Sequence, residues 1–366
     1  MAQSEVRVPW QPLYDFAKEV FTRAGCPPKD AATEADALLW ANLRGVDSHG
    51  VLRIPWYVEN IDKGVMNPKP KIKVLKETPA TLFIEADHAL GPVVTVYTIE
   101  LALKKAKKVG ICWSLIRNLT HQGALGYYAQ MIALKDMAGL VIVTNPPNMA
   151  PWGAKAAGVH NSPIAISVPA KSHRPLTLDM ATSVVAGGKL WLAVDRGMSI
   201  PLGWALDKDG NPTTDPKNYA TLLPMGGAKG SGLAMMFECL TGVMAGNPQL
   251  EPSLLGRVKE VETKSDVKWE RPGLVPRHVQ NSVVAIIDIA NFTDVEDYKR
   301  HIDNLVDGIK ALPKADGFKE IFVPGEPEER TYLERVKSGI PLPEGTIRNL
   351  RGIAQKFSLQ LPAGLQ

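Results

Sequence analysis

Two stretches of this chain hold residue types whose spacing could do chemistry. The first is Asp47-Ser48-His49-Gly50, with Arg53 just beyond. Histidine titrates near neutral pH and can exchange a proton with a carbonyl oxygen. The planar fork of arginine suits a carboxylate. Four apart on one helix face, the pair suits a 2-keto acid: Arg53 holds the acid end and His49 serves the ketone. The competing reading is a plain helix start, with Asp47 or Ser48 as the cap and His49 in the first turn. The second stretch is Gly226-Gly227-Ala228-Lys229-Gly230-Ser231-Gly232, followed by the apolar run Leu233–Phe237. Glycines let backbone approach a ligand, a helix start offers N–H groups and a positive dipole end, and Lys229 adds a charge. Lys229 precedes Gly230 rather than Ser or Thr, so this is not a Walker loop. Residues 218–225 contain a proline and no strand alternation, so it is not a Rossmann fingerprint. Two readings stand: a cradle for a phosphate-bearing cofactor on a non-Rossmann fold, or tight glycine packing before a buried helix.

Further candidates lie at loop positions, where α/β proteins place function. His121, in Thr120-His121-Gln122-Gly123, sits between an expected strand and helix. Asn145 leaves the apolar run 140–144 into Pro146-Pro147 and could bond an amide or a ribose. Asp179, in Asp179-Met180-Ala181-Thr182-Ser183, could accept from a ribose, orient a histidine or cap a helix. Glu326, in Pro324-Gly325-Glu326, could hold a ribose diol or lie in a simple turn. There is no HExxH, paired CxxC or EF-hand loop to suggest a metal, and no G-x-S-x-G elbow. His88, His160, His173, His278 and His301 read as structural or surface residues.

The elements that must position these residues follow from periodicity. Helices are expected over 10–24, with Leu13, Phe16, Ala17, Val20 and Phe21 on one face, and over 29–44, with Ala32, Ala35, Leu38, Leu39 and Leu43 in step. A third should follow His49, carrying Ile54, Tyr57, Val58 and Ile61, with Pro55 placed to kink it. After Pro68-Lys69-Pro70 the pattern changes. Strands are expected over 72–75, 81–84, 112–116, 140–144, 164–168, 176–178 and, last, 283–287. Helices are expected over 93–109, 124–135 and 295–312, with a polar, helix-prone tail. Residues 249–278 read as a polar loop excursion. The fold class is α/β (mixed α+β) and non-Rossmann, a mixed core set between helical chain ends.

The 366 residues suffice for two domains. Hydrophobic content of 45% and charged content of 22% are ordinary for a globular protein. A net charge of +4, without basic–aromatic clusters, argues against nucleic acid. Three scattered cysteines, Cys26, Cys112 and Cys239, form no disulfide framework and suit a reducing compartment. No signal sequence or membrane-length apolar run is seen, so a cytoplasmic location is expected.

Taken together, these segments resemble the malate/L-lactate dehydrogenase type 2 family of NAD(P)-dependent oxidoreductases. The motifs are Arg44-Gly45-Val46-Asp47-Ser48-His49-Gly50, Ala150-Pro151-Trp152-Gly153, Asp179-Met180-Ala181-Thr182-Ser183, Pro201-Leu202-Gly203-Trp204-Ala205-Leu206-Asp207, Pro224-Met225-Gly226-Gly227, Lys229-Gly230 and Phe322-Val323-Pro324-Gly325-Glu326. The resemblance implies a mixed-sheet NAD(P)-binding domain, 71–291, inserted into a helical domain built from 1–70 and 292–366. It implies a homodimer, with NAD or NADP as cofactor and a small carboxylate as substrate. The activity implied is hydride transfer at C2 of a 2-keto or L-2-hydroxy acid. A cyclic-imine reductase of the Δ1-piperideine-2-carboxylate type, or a catalytically silent nucleotide-binding protein, are the alternatives. By the same resemblance His49 and His121 are the catalytic candidates, and Arg53 and Tyr57 bind substrate. Asn145, Asp179, Met180, Ala181, Lys229, Gly230, Pro324, Gly325 and Glu326 contact the cofactor. Lys171, His173 and Arg174 are cations that would favour NADPH. Four departures stand out: His160-Asn161-Ser162-Pro163 for Gly-Thr-Asn-Pro, His121-Gln122-Gly123 for His-Phe-Gly, Pro151-Trp152-Gly153-Ala154 for Pro-Trp-Gly-Gly, and Lys229-Gly230-Ser231-Gly232 for Lys-Gly-Tyr-Gly. The two lost aromatics are expected to reshape the substrate or nicotinamide pocket.

Overall fold

The computed structural model describes residues 6–195, 197–256 and 279–365. In chain order the elements begin with β1 (Val6–Val8), α1 (Trp10–Arg23), α2 (Pro28–Leu43) and α3 (Ile54–Asp62). Next come β2 (Lys73–Thr78), β3 (Thr81–Glu85), α4 (Gly91–Val109), β4 (Ile111–Leu119), α5 (Gly126–Ala133), β5 (Met137–Thr144), β6 (Ile164–Val168) and β7 (Leu176–Met180). A smaller lobe follows with α6 (Gly187–Asp195), β8 (Ala205–Leu206), β9 (Pro212–Thr213), β10 (Thr221–Leu222), α7 (Ala228–Glu238) and α8 (Leu250–Leu254). The chain closes with β11 (Gln280–Asp288), α9 (Val295–Lys310), α10 (Glu326–Ser338), β12 (Ile340–Leu342) and α11 (Glu344–Phe357).

The expected apolar faces become the core of a helical unit. Leu13, Phe16, Ala17, Val20 and Phe21 of α1 are buried against α2 and α3. Each large side chain so buried contributes about 1.5–3 kcal/mol. The same core takes in Ile340, Leu342, Ile347, Leu350 and Ile353 from the far end of the chain. β12 is a strand not expected from the sequence. At three residues it is too short to show alternation, and it forms by pairing antiparallel with β1. Pro55 does not kink α3, because it lies in the first helical turn, where no N–H is required.

The main sheet runs β2-β3-β4-β11-β5-β6-β7 and is mixed: β3–β4 is its only parallel pairing. β11, arriving late in the chain, lies at its centre and explains its unbroken apolar run Val283–Ile287. α4 and α5 cover one face through Val94, Ile99, Ala102, Tyr128 and Ile132. On the other face Phe237 of α7 packs over Ile142, Val283 and Ala285. α8 falls within the stretch expected to be loop, and 257–278 of that expectation lies outside the described residues.

One glycine fixes how the helical unit and sheet meet. A Cβ on Gly91, at the start of α4, would stand 2.4 Å from the His121 carbonyl oxygen and 2.5 Å from Gln122 Cα. Gly91→Ala should therefore lower stability by about 1–3 kcal/mol. Gly352→Ala, inside α11 with nothing near its Cβ, should raise it by up to about 1 kcal/mol. Denaturant midpoints of the two variants check both signs.

Candidate active site

The His49 turn is built from outside. Asp47–His49 and Val51–Arg53 form two short 3-10 turns, separated by extended Gly50, before α3 begins. His49 and Arg53 therefore do not share one continuous helix face, contrary to the expectation. The break has a cause. Asn42 of α2 accepts Val51 N–H at 2.8 Å, and its side chain fills the space a Gly50 Cβ would need. Asn42 also donates to Asp47 at 2.7 Å. Asp47 receives Arg335 of α10 in a bidentate pair, 2.7 and 3.0 Å. Asp47 is thus a brace rather than the group that fixes the His49 tautomer. Ser48 takes that place, its Oγ 2.9 Å from His49 Nδ1.

The loop carrying His121 meets this turn. The two imidazoles stack, with centroids 5.5 Å apart and planes 17° apart. The Tyr57 hydroxyl lies 2.6 Å from His121 Nδ1. In both rings Nδ1 is engaged, by Ser48 in His49 and by Tyr57 in His121. Burial, with the charge of Arg53 second, pushes the His49 imidazole down to about 3, so it is neutral near pH 7. Arg53 is itself buried, donates Nε–H to Ser48 O at 2.8 Å and lies 5.9 Å from the Trp56 ring. The structure thus gathers His49, His121, Arg53 and Tyr57, with Trp56 edge-on to His121.

The other expected residues collect around β7. Asp179 accepts Gly126 N–H at 2.7 Å, capping α5 just after the His121 loop. Thr177 N–H donates to Pro324 O at 3.3 Å, and Gly325 packs on Thr177. Met180 pairs with Ile164 across the sheet, and Ala181 follows it. Thr182 O accepts Met225 N–H, and a Gly230 Cβ would stand 2.4 Å from it. Gly226 and Gly227 turn with φ +56° and +59° into α7, on whose first turn Lys229 is exposed. Gly230 is therefore the packing glycine of the loop, and Lys229 its exposed cation. Two polar atoms here, Asn145 Oδ1 and Thr182 Oγ1, are buried without a protein partner. Glu326 is held by Lys310.

Other expectations change. Gln122 does not face a pocket. It is buried, donates to Thr95 Oγ1 at 2.7 Å and accepts Tyr128 O–H on its carbonyl. Ser231 accepts Trp152 N–H at 3.0 Å and so ties the Pro151-Trp152-Gly153 loop to α7. Lys171, His173 and Arg174 all face acids: Glu296, Asp307 and Glu329. His160 is buried, with Nδ1 3.4 Å from Ser162 Oγ, and burial pushes it down to about 3. Sequence reasoning missed Arg335, Asn42 and Ser48. Asn42, a polar residue in the buried stripe of α2, left a signal; Arg335, 288 positions from Asp47, left none.

Two outcomes follow. His49 and His160 have folded pKa values below the ordinary 6.5, so the unfolded chain binds their protons first. Stability should fall as pH drops from about 6.5 toward 3, and His160→Gln should flatten that fall in melting curves across pH. Arg335→Met should leave the protein folded but lower kcat about tenfold, because the His49 turn loses its anchor.

Comparison with known proteins identifies the family. A family model for malate/L-lactate dehydrogenase matches residues 8–351. L-sulfolactate dehydrogenase of Methanocaldococcus jannaschii is 37% identical over 345 residues, 94% of this chain and 95% of that protein. Its solved structure superimposes with a TM-score of 0.83, covering 97% of this chain and 98% of that one. The NAD(+) ureidoglycolate dehydrogenase of Escherichia coli K12 is 32% identical over 337 residues, 92% of this chain and 93% of that protein. The structure of Δ1-piperideine-2-carboxylate reductase from Pseudomonas syringae is 25% identical with a TM-score of 0.78, covering 95% of this chain and 99% of that one. The chain belongs to the malate/L-lactate dehydrogenase family, and with it to the oxidoreductases that act on CH–OH groups.

Proposed function

We propose that this protein moves a hydride between a nicotinamide dinucleotide and C2 of a small L-2-hydroxy acid or 2-keto acid. The observation that carries the reading is the stacked His49–His121 pair beside the buried Arg53. The residues around β7 suit such a cofactor. Asn145 Oδ1 and Thr182 Oγ1 are buried acceptors in need of donors, and Lys229 stands at a helix start able to meet an anion. Asp179, Met180, Ala181, Gly230 and the Pro324-Gly325-Glu326 turn complete the cradle. Bound there, the nicotinamide accepts a hydride in oxidation and donates one in reduction.

The protein's own residues do the rest. Arg53 holds the substrate carboxylate, and Tyr57 holds His121 by Nδ1. In oxidation His121 Nε2 takes the hydroxyl proton; in reduction it returns it. His49, neutral at working pH, hydrogen-bonds the same oxygen through Nε2 and sets its position. A single cation in the stacked pair is the electrostatically reasonable arrangement, since two imidazolium ions at this spacing beside Arg53 would repel. We propose NADH as the cofactor: Lys171, His173 and Arg174 face acids, and the first turn of α10 carries Glu326, Glu328 and Glu329, which oppose a 2′-phosphate.

We also propose that residues 71–291 form a unit inserted between 1–70 and 292–366. The shared core of both chain ends supports this, although α9 leans on the sheet side through Asp303, which accepts Lys171 and Ser172 N–H. A homodimer is proposed on the exposed apolar face of α7 and the turn after it, Met235, Met236, Val243 and Met244. Among the described residues no helix is long and apolar enough to cross a membrane, and none cluster as metal ligands. The likeness to the Pseudomonas reductase keeps one second reading, reduction of a cyclic 2-imino acid by the same carboxylate clamp.

Turnover of L-malate, L-lactate, L-sulfolactate and ureidoglycolate with NAD+ and NADP+, and of Δ1-piperideine-2-carboxylate with the reduced cofactors, tests the reading. At least one hydroxy acid should be oxidised, with NAD+ preferred. His121→Asn should lower kcat by about 100-fold or more with cofactor affinity intact. Arg53→Lys should mainly raise KM, because the bidentate fork is lost. Turnover of none of these compounds would overturn the proposal.

A further inference from the structure

The core that buries Tyr57 also takes in the α2 face carrying an acid that the mechanism does not use. Glu34 stands on the buried face of α2 between Ala31, Ala35 and Leu38, which share a core with Tyr57. It is 1% exposed, and neither carboxyl oxygen has a hydrogen-bond partner. The ionisable groups that feel its charge are Tyr57 on α3, Tyr127 and Tyr128 on α5, and Cys26 before α2. Asp30 and Asp36 lie on its own helix, and no cation compensates it in the described residues around it. A second polar intrusion borders the same place: Tyr128 donates to Gln122 O, and Gln122 Oε1 is also buried without a partner. Unpartnered polar atoms on Glu34 and Gln122, in an otherwise apolar interior, are costly unless they serve something.

We infer that Glu34 is a positioning residue for the proton chemistry, an unpaired buried acid whose charge state reaches His121 through the Tyr57 hydroxyl. The inference rests on the role of His121 proposed above. At neutral pH burial keeps the carboxyl protonated, pushed up to about 8. Above that pH Glu34 loses its proton and becomes a carboxylate in the core it shares with Tyr57. A negative charge there favours the imidazolium that forms on His121 when the hydroxyl proton is taken. No bond in the substrate is made or broken by Glu34, and its own proton leaves to solvent. Oxidation of a hydroxy acid should therefore speed up as pH rises through about 8.

The test is the pH profile of kcat and KM for L-malate oxidation with NAD+, in wild type and in Glu34→Gln. Wild type should show a rise of about threefold or more centred near pH 8, absent from the variant, with KM alike in both. Superimposable profiles would overturn the inference. NMR of nitrogen-labelled histidine provides a readout independent of activity, with His121 assigned by loss of its signal in His121→Asn. Its shift should show an inflection near pH 8 in wild type and none in Glu34→Gln; identical titrations would overturn the inference. If L-malate is not turned over, the functional reading is what suffers, and the NMR titration still decides the role of Glu34. Glu34→Leu, which also removes the carboxyl, carries the same comparison should the glutamine variant not fold.

Discussion

The site depends on one brace, the Asn42–Asp47–Arg335 contact. A turn of seven residues from Asp47 to Arg53 has too few backbone hydrogen bonds of its own to hold a histidine and an arginine in fixed orientation. Asn42 fills the space left by Gly50 and supplies an acceptor for Val51. Arg335 grips Asp47 with two charge-assisted bonds and also donates to Asn42 O. Each such bond contributes about 1.5–3 kcal/mol when buried, and less here because Asp47 is partly open to solvent. Arg335 itself lies on α10, the helix that starts at Pro324-Gly325-Glu326. The brace therefore joins the His49–Arg53 turn to the Pro324-Gly325-Glu326 loop.

A second hub completes the arrangement. β7 and the residues after it touch the Pro324 turn through Thr177, the His121 side through Asp179 and Gly126, and the glycine loop through Thr182. An edge strand with these three attachments holds the Pro324 turn, the His121 side and the glycine loop at fixed spacing. The glycines at 91, 230 and 325 serve close approach rather than flexibility, since a Cβ at each would meet backbone. Within the glycine loop Gly230 packs against backbone, and Lys229 beside it is exposed.

Much of this was legible in the sequence. The apolar stripes of α1, α4 and α9, the buried run of β11 and the helix after the glycine loop follow from periodicity and composition alone. His49, Arg53 and His121 stood out by residue type and loop position. Long-range pairing was not legible. β1 and β12 are three-residue strands that exist only because each finds the other. Arg335 reads as a surface charge on a polar helix until Asp47 is placed opposite it. Gln122 illustrates the reverse error: beside a histidine it suggested a pocket change, yet its side chain turns inward to Thr95. Glu34 was not singled out in the sequence; its burial is a local conflict of the kind that marks function or strain.

The account's central claim is that Arg53, His49 and His121 act on one small acid at one place. The most direct measurement is a crystal structure of the protein with NADH and oxamate, a stable mimic of a 2-keto acid. The expected result is the oxamate carboxylate on Arg53, its neighbouring carbonyl oxygen within hydrogen-bond distance of both Nε2 atoms, and the nicotinamide against the same carbon. Oxamate bound away from both histidines, or with its carboxylate on another cation, would contradict the account.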